Sequence, residues 1–61
     1  MLTMTIMNEQ GFGNTIVSNN PPQIPRKGDR VDMGYEPAPI VKEVLWKFPE
    51  GGNTQVFVLV D

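Results

Sequence analysis

The side chains that most often carry out chemistry near neutral pH are missing from this sequence. It contains no cysteine and no histidine. Disulfides and thiolate metal sites are therefore excluded, and so are the commonest metal ligand and the commonest acid–base catalyst. A serine or threonine nucleophile would also lack the base that usually activates it. The sequence predicts a protein that is not an enzyme and that needs no cofactor.

Carboxylates and glycines are the remaining residue types from which a reactive site could be built. The acidic side chains considered for an acid–base pair are Asp29, Asp32, Glu36, Glu43, Glu50 and Asp61. They are scattered along the chain beside turns or basic residues, which is typical of a solvated surface rather than of a convergent site. The Gly51-Gly52 pair lacks the lysine and the spacing of a phosphate-binding loop. Neither pattern predicts a catalytic centre.

A short basic cluster is formed by Arg26, Lys27 and Arg30, with Tyr35 nearby. Basic and aromatic side chains together can bind single-stranded nucleic acid by phosphate pairing and base stacking. Two aspartates interrupt the cluster, however, and the chain has five basic against seven acidic residues and a net charge of −2. A binder of nucleic acid normally concentrates positive charge. Local charge balance is the favoured interpretation, and nucleic acid is the disfavoured partner.

Two aromatic residues lie in turn-rich segments, where exposure would make them anchors for a protein partner. Phe12 stands between two glycines, and Tyr35 precedes a Glu-Pro-Ala-Pro run. The predicted partner contacts are Phe12, Tyr35, Arg26, Lys27 and Arg30. Residues 22–27 also fit a proline-x-x-proline-x-basic ligand, but a stiff crossover between strands is the favoured interpretation of that segment.

The elements that must position these residues are β-strands. Alternation of apolar and polar residues predicts five of them, over residues 1–8, 15–18, 30–34, 40–48 and 54–60. Glycine, asparagine and proline separate the runs, and the Pro-Glu-Gly-Gly-Asn segment before the last one is a strong hairpin signal. If Val41 also points inward in the fourth run, an extra residue must lie around Lys42 and Glu43, and a β-bulge would supply it.

Five short strands with no helix to cover them favour an antiparallel meander that curls into a small barrel. All 61 residues are predicted to form this single all-β domain. Trp46, Phe48 and Phe57 are predicted to fill its core, because large aromatics dominate burial in small domains. On that prediction, Trp46→Ala would cost about 3–5 kcal/mol.

The run from Ile24 to Val31, Ile-Pro-Arg-Lys-Gly-Asp-Arg-Val, followed by Val41-x-x-Val44-x-Trp46, resembles the opening strands of SH3-like small β-barrels. The resemblance covers residues 24–60. It implies an architecture that binds peptides, nucleic acids or other subunits, not an activity. The chain lacks the acidic, aromatic-rich first loop with which true SH3 domains bind proline-rich ligands, so that function is not implied.

The last strand is apolar on both faces. Val56, Val58 and Val60 alternate with Phe57 and Leu59, and a strand of this kind needs cover on both sides. A small chain cannot readily supply two layers of cover. The sequence therefore predicts self-association into a homo-oligomer, with a second subunit covering residues 54–60.

No stretch is long and apolar enough for a transmembrane helix, and the first residues lack the basic region of a signal peptide. We expect a cytoplasmic protein that does not bind membranes. The favoured function is a non-enzymatic protein–protein interaction module, such as an accessory protein of a phage or mobile element that acts on a host protein. The alternatives are a nucleic-acid-binding barrel and a structural subunit of a larger assembly.

Overall fold

A computed structural model of the chain describes residues 1–9 and 15–61. Within these residues the fold is all-β, as the alternation predicts, and contains no helix. The strands are β1 (Leu2–Asn8), β2 (Ile16–Asn19), β3 (Val41–Lys47) and β4 (Thr54–Val60). No described segment forms a helix long and apolar enough to cross a membrane.

The four strands form one open mixed sheet in the order β2-β1-β4-β3. The β1–β2 and β3–β4 pairs are antiparallel, whereas β1 and β4 run parallel over their full length, from Leu2 opposite Thr54 to Asn8 opposite Val60. The predicted five-stranded antiparallel meander and closed barrel are therefore wrong. The edge strands β2 and β3 do not pair with each other. Residues 20–40, called here the connection, join β2 to β3 and cover one face of the sheet.

The fifth strand, predicted over residues 30–34, does not form. Only Arg30 makes an isolated bridge, to Ile40, and Val31 N–H donates to the carbonyl of Pro39 at 3.0 Å. Apolar and polar residues alternate in this segment for a different reason. Val31 and Met33 point inward from an irregular segment and pack on the sheet. A left-handed Gly34 and a cis Glu36–Pro37 peptide bond then carry the chain round to β3.

The core lies on one face of the sheet, called here the covered face. The buried hydrophobic residues are Met4, Ile6, Met33, Val41, Val56, Val58 and Val60. The strand residues among them follow the predicted period of two, and the three valines of β4 have no exposed surface at all. Each of these valines contributes about 1.5–3 kcal/mol by leaving water. Ile24, Val31 and Tyr35 from the connection complete this layer.

One buried polar side chain, that of Asn8, joins the connection to the sheet. Its Nδ2 donates to the hydroxyl of Tyr35 and to the carbonyl of Asp61, both at 2.9 Å. Two partners satisfy the donors of an amide that would otherwise be costly to bury. Asn8 therefore joins the end of β1 to Tyr35 of the connection and to Asp61, the residue after β4.

The bulge predicted around Lys42 and Glu43 is confirmed. The register of β3 against β4 shifts between Val41, which lies opposite Val60, and Glu43, which lies opposite Leu59. The extra residue lets Val41 and Val44 both point to the covered face. The predicted hairpin is also confirmed, with a left-handed Gly51 in the turn and Gly52 N–H donating to the carbonyl of Pro49.

Candidate interaction surface

The second face of the sheet, called here the open face, carries apolar side chains that no segment within residues 1–9 and 15–61 covers. Strand alternation and register assign it these residues: Thr3, Thr5, Met7, Val17, Asn19, Glu43, Leu45, Lys47, Gln55, Phe57 and Leu59. None of them belongs to the hydrophobic core or packs against it. On the two central strands every open-face residue is only half-buried, while the neighbours Val56, Val58 and Val60 are fully buried. The contrast shows which side of the sheet has cover among the described residues.

A single cross-strand row runs through the middle of the open face. Val17 lies opposite Thr5, Thr5 opposite Phe57, and Phe57 opposite Leu45. The two outer members are among the most exposed large hydrophobic residues, Val17 at 62% and Leu45 at 59%. Side chains in such a row are in reach of each other, so they form a largely apolar strip across all four strands, in which the hydroxyl group of Thr5 is the polar member.

Two opposite charges flank this strip on the edge strand. Glu43 and Lys47 lie two residues to either side of Leu45, on the same face, and all three are exposed. Neither charged side chain forms an ion pair with a described residue. The open face is therefore an apolar strip with an acidic and a basic end along β3.

A second feature lies at the end of β3, on the covered side. The rings of Trp46 and Phe48 stack with centroids 6.2 Å apart and an interplanar angle of 9°. Trp46 is 45% exposed and Phe48 73%, so the prediction that they fill the core is wrong. The connection covers β3 only as far as Val44, so Trp46 and Phe48 at the end of β3 remain exposed to solvent. Phe57 was also predicted to be core, but it lies half-buried on the open face.

An open groove of about 1150 Å³ separates β3 from residues 23–29 of the connection. Val44 and Trp46 line it together with Ile24 and Pro25, and three basic and three acidic side chains surround them: Arg26, Lys27, Lys42, Glu9, Asp29 and Glu43. Equal numbers of both signs give the groove no excess positive charge with which to attract phosphates.

Part of the charge in the groove is already paired. The Nζ of Lys42 donates to the carboxylate of Glu9 at 2.6 Å, and this hydrogen bond and charge raise the pKa of Lys42 above its ordinary value. Asp29 accepts from the backbone N–H of Arg26 at 2.8 Å, which closes the turn there. The first contact joins the end of β1 to β3, and the second stabilises a turn of the connection. Together they leave the groove close to electrical neutrality.

The structure does not bring the predicted partner contacts together. Arg26 and Lys27 line the groove, whereas Arg30 and Tyr35 line a separate recess of about 460 Å³ beside residues 36–40. Arg30 donates to the carbonyl of Ala38 at 2.9 Å, and the Tyr35 hydroxyl accepts from Asn8. Both therefore hold the fold together. Phe12 lies outside the described residues, and any contact of these side chains with a partner stays a prediction.

The self-association residues divide between the two faces of β4. Val56, Val58 and Val60 are fully buried under the connection, so only Phe57 and Leu59 of the five are accessible to a second subunit. Leu45 and Val17 are the accessible residues that sequence reasoning missed. The sequence did contain a signal for Leu45. In a strand, Leu45 shares a face with the charged residues Glu43 and Lys47, so it points toward solvent with them.

The described residues offer little for a metal or a reaction. They contain no group of three or more acidic side chains placed to hold a metal ion. Every buried side-chain nitrogen or oxygen among them has a hydrogen-bond partner, so none is held ready for a ligand. The SH3-like resemblance stays a prediction. Comparison with protein-family models, with curated proteins and with solved structures finds no match for this chain.

Proposed function

We propose that this chain is a non-enzymatic protein–protein interaction module whose contact surface is the open face of the sheet. One observation carries the proposal: β4, a central strand, has a fully buried valine face and, on its other side, Phe57 and Leu59 left half-exposed. Contiguous exposed apolar surface on a small domain is the usual mark of a contact site. The polar Thr3, Gln55 and Asn19 at one end of the face give it the polar rim common to such sites.

The size of the face sets the strength of the contact. At strand spacings of about 4.8 Å and a rise of about 3.3 Å per residue, the 25 strand residues have a footprint of about 400 Å². Covering that area on both partners gives about 20 kcal/mol of gross apolar stabilisation at most, at about 25 cal/mol per Å². Lost rotational freedom, side-chain ordering and desolvated threonines offset most of it. The two footprints together, about 800 Å², fall below the value of about 1,000 Å² that a specific interface usually exceeds, so a weak and transient contact is expected.

A pair of matched variants tests this proposal. Leu45→Lys places a charge in the middle of the open face. Phe48→Lys places the same charge just after the end of β3, on the covered side, where the exposed fraction is 73% against 59% for Leu45. The wild-type chain and the two variants are each tagged and used as bait. The amounts of untagged chain and of other proteins that each bait captures from a lysate of the source cells are then compared. We expect Leu45→Lys to lose the captured protein and Phe48→Lys to retain it. Capture that is absent for the wild type, or equal for the two variants, would contradict the proposal.

A second candidate, binding of single-stranded nucleic acid, is favoured by the exposed Trp46–Phe48 stack beside Arg26 and Lys27 of the groove. Aromatic pairs of this kind can receive an unpaired base. The balanced charge of the groove weighs against it. Titration with an oligonucleotide at low salt distinguishes the two functions, because stacking on Trp46 quenches its fluorescence and added salt reverses the effect. Unchanged fluorescence at low salt removes this candidate.

A further inference from the structure

We infer that the occupant of the open face is a second copy of this chain, packed face to face about a twofold axis so that each strand crosses its own counterpart in the opposite direction. The inference rests on the proposed function, since it names the partner of the same surface. It would convert the open sheet into a two-layer sandwich in which both faces of β4 are covered.

The position of the apolar strip suits this arrangement. Phe57 is the middle residue of β4 and Thr5 is the middle residue of β1. Because the two residues lie opposite each other, they mark the centre of the sheet along the strand direction. A twofold axis along their row lets the two copies overlap over the whole length of the central strands. Facing sheets normally align to within about 30° and pack about 10 Å apart, which large side chains such as Phe57 and Leu45 can fill.

The charges on β3 also fit a second copy. The twofold axis that passes through Leu45 brings Glu43 of one copy over Lys47 of its partner, and the symmetry repeats the contact. Both side chains are exposed and have no ion pair with the described part of their own chain. A patch that carries opposite charges at equal distances from its centre is complementary to itself when reversed.

The alternative face-to-face stacking, with the strands of the two copies in the same direction, leaves these charges without partners. It places β3 over β2 of the other copy, where the open-face residues Val17 and Asn19 are uncharged. Its apolar contacts would be similar. The charge pattern on β3 therefore selects the reversed arrangement and identifies Glu43 and Lys47 as its specificity-determining residues.

Charge reversal tests the inference with the full-length chain. Glu43→Lys gives β3 two positive ends and Lys47→Glu gives it two negative ends, so each variant alone would face like charges across the axis. We expect each to self-associate about tenfold more weakly than wild type, as two lost attractions and two repulsions at a partly exposed rim imply. An equimolar mixture of the two variants restores both ion pairs and should associate like wild type, and so should the double variant.

Sedimentation equilibrium over a concentration series provides the measurement, with circular dichroism to show that each variant is folded. Glu36→Lys is the control, because it reverses an exposed charge in the separate recess, whose lining contains no open-face residue. Loss of association in each single variant with recovery in the mixture supports the inference. Single variants that associate like wild type, or a mixture no stronger than its components, overturn the arrangement. A wild-type chain that stays monomeric at several hundred micromolar overturns the second copy as occupant, whereas Leu45-dependent capture of a different protein would leave the proposed function standing.

Discussion

The two faces of the sheet predict opposite outcomes for the same chemical change, Val→Ala, at Val58 and at Val17. Val58 has no exposed surface and lies between Ile6 on β1 and Val44 on β3. Val17 is 62% exposed on the open face of the edge strand β2. If one face is the core and the other is solvent-exposed, Val58→Ala must destabilise the fold far more than Val17→Ala.

The magnitude follows from what each substitution removes. At Val58 the loss of two carbon atoms forfeits about 1.6 kcal/mol of transfer free energy. The cavity left between three strands raises the total to about 2.5 kcal/mol. At Val17 the exposed side chain has little burial to lose, so lower β-propensity limits the cost to below about 1 kcal/mol.

Urea denaturation followed by circular dichroism measures both variants. With a slope of about 1 kcal/mol per M for a chain of this size, Val58→Ala should lower the midpoint by about 2.5 M and Val17→Ala by less than 1 M. The free energy of unfolding of so small a domain is on the order of 5 kcal/mol or less, so a Val58→Ala chain that is unfolded without urea agrees with the assignment of the faces. All samples are compared at one low protein concentration, because association stabilises the folded state. Equal midpoint shifts for the two variants would refute the assignment of the faces.

Three further predictions concern the anchor of the connection, the hairpin turn and the ion pair between the end of β1 and β3. Asn8→Ala should lower the free energy of unfolding, measured by urea denaturation, by about 1–3 kcal/mol, because it removes the amide that joins the Asp61 carbonyl to the Tyr35 hydroxyl. A loss below about 0.5 kcal/mol, as for an ordinary surface substitution, would contradict that role. Gly51→Ala should cost about 1 kcal/mol, because the turn holds this residue at a φ of 72°, whereas an unchanged midpoint would show that the turn relaxes. The ion pair with Glu9 raises the pKa of Lys42, so the stabilisation from this pair is present at neutral pH and is lost as the pH rises through the raised pKa. Glu9→Gln should therefore make the free energy of unfolding fall less steeply at alkaline pH than in the wild type. An identical alkaline fall in the two proteins would argue against the Lys42–Glu9 pair.

Local patterns in the sequence were sufficient to predict most of the strands and one irregularity. Period-two alternation identified β1 and β4, but β4 is apolar on both faces and its pattern did not show which face is buried. The hairpin between β3 and β4 followed from its turn residues. The bulge followed from the phase of one run, because Val41 and Val44 can share a face only if an extra residue lies between them. Each of these features depends on residues that are neighbours in the chain.

The features that the sequence did not reveal depend on distant residues. The parallel pairing of β1 with β4 joins the first strand to the last, and turn signals, which favour antiparallel neighbours, carry no information about it. Val31 and Met33 alternate because they pack on the sheet from an irregular segment, not because they form a strand. Trp46 and Phe48 share a face with Val44 but extend beyond the covering segment, and the length of that cover is set by the tertiary structure.

Taken together, the proposals assign the contact with a second copy of the chain to the open face and the stability of the fold to the covered face. Methyl and amide NMR signals recorded over a range of protein concentrations test this division between the two faces. We expect the signals of Leu45 and Val17 to shift or broaden as the concentration rises, while those of Val56 and Val58 stay constant. Shifts centred instead on Trp46 and the groove, or none at several hundred micromolar, would contradict it.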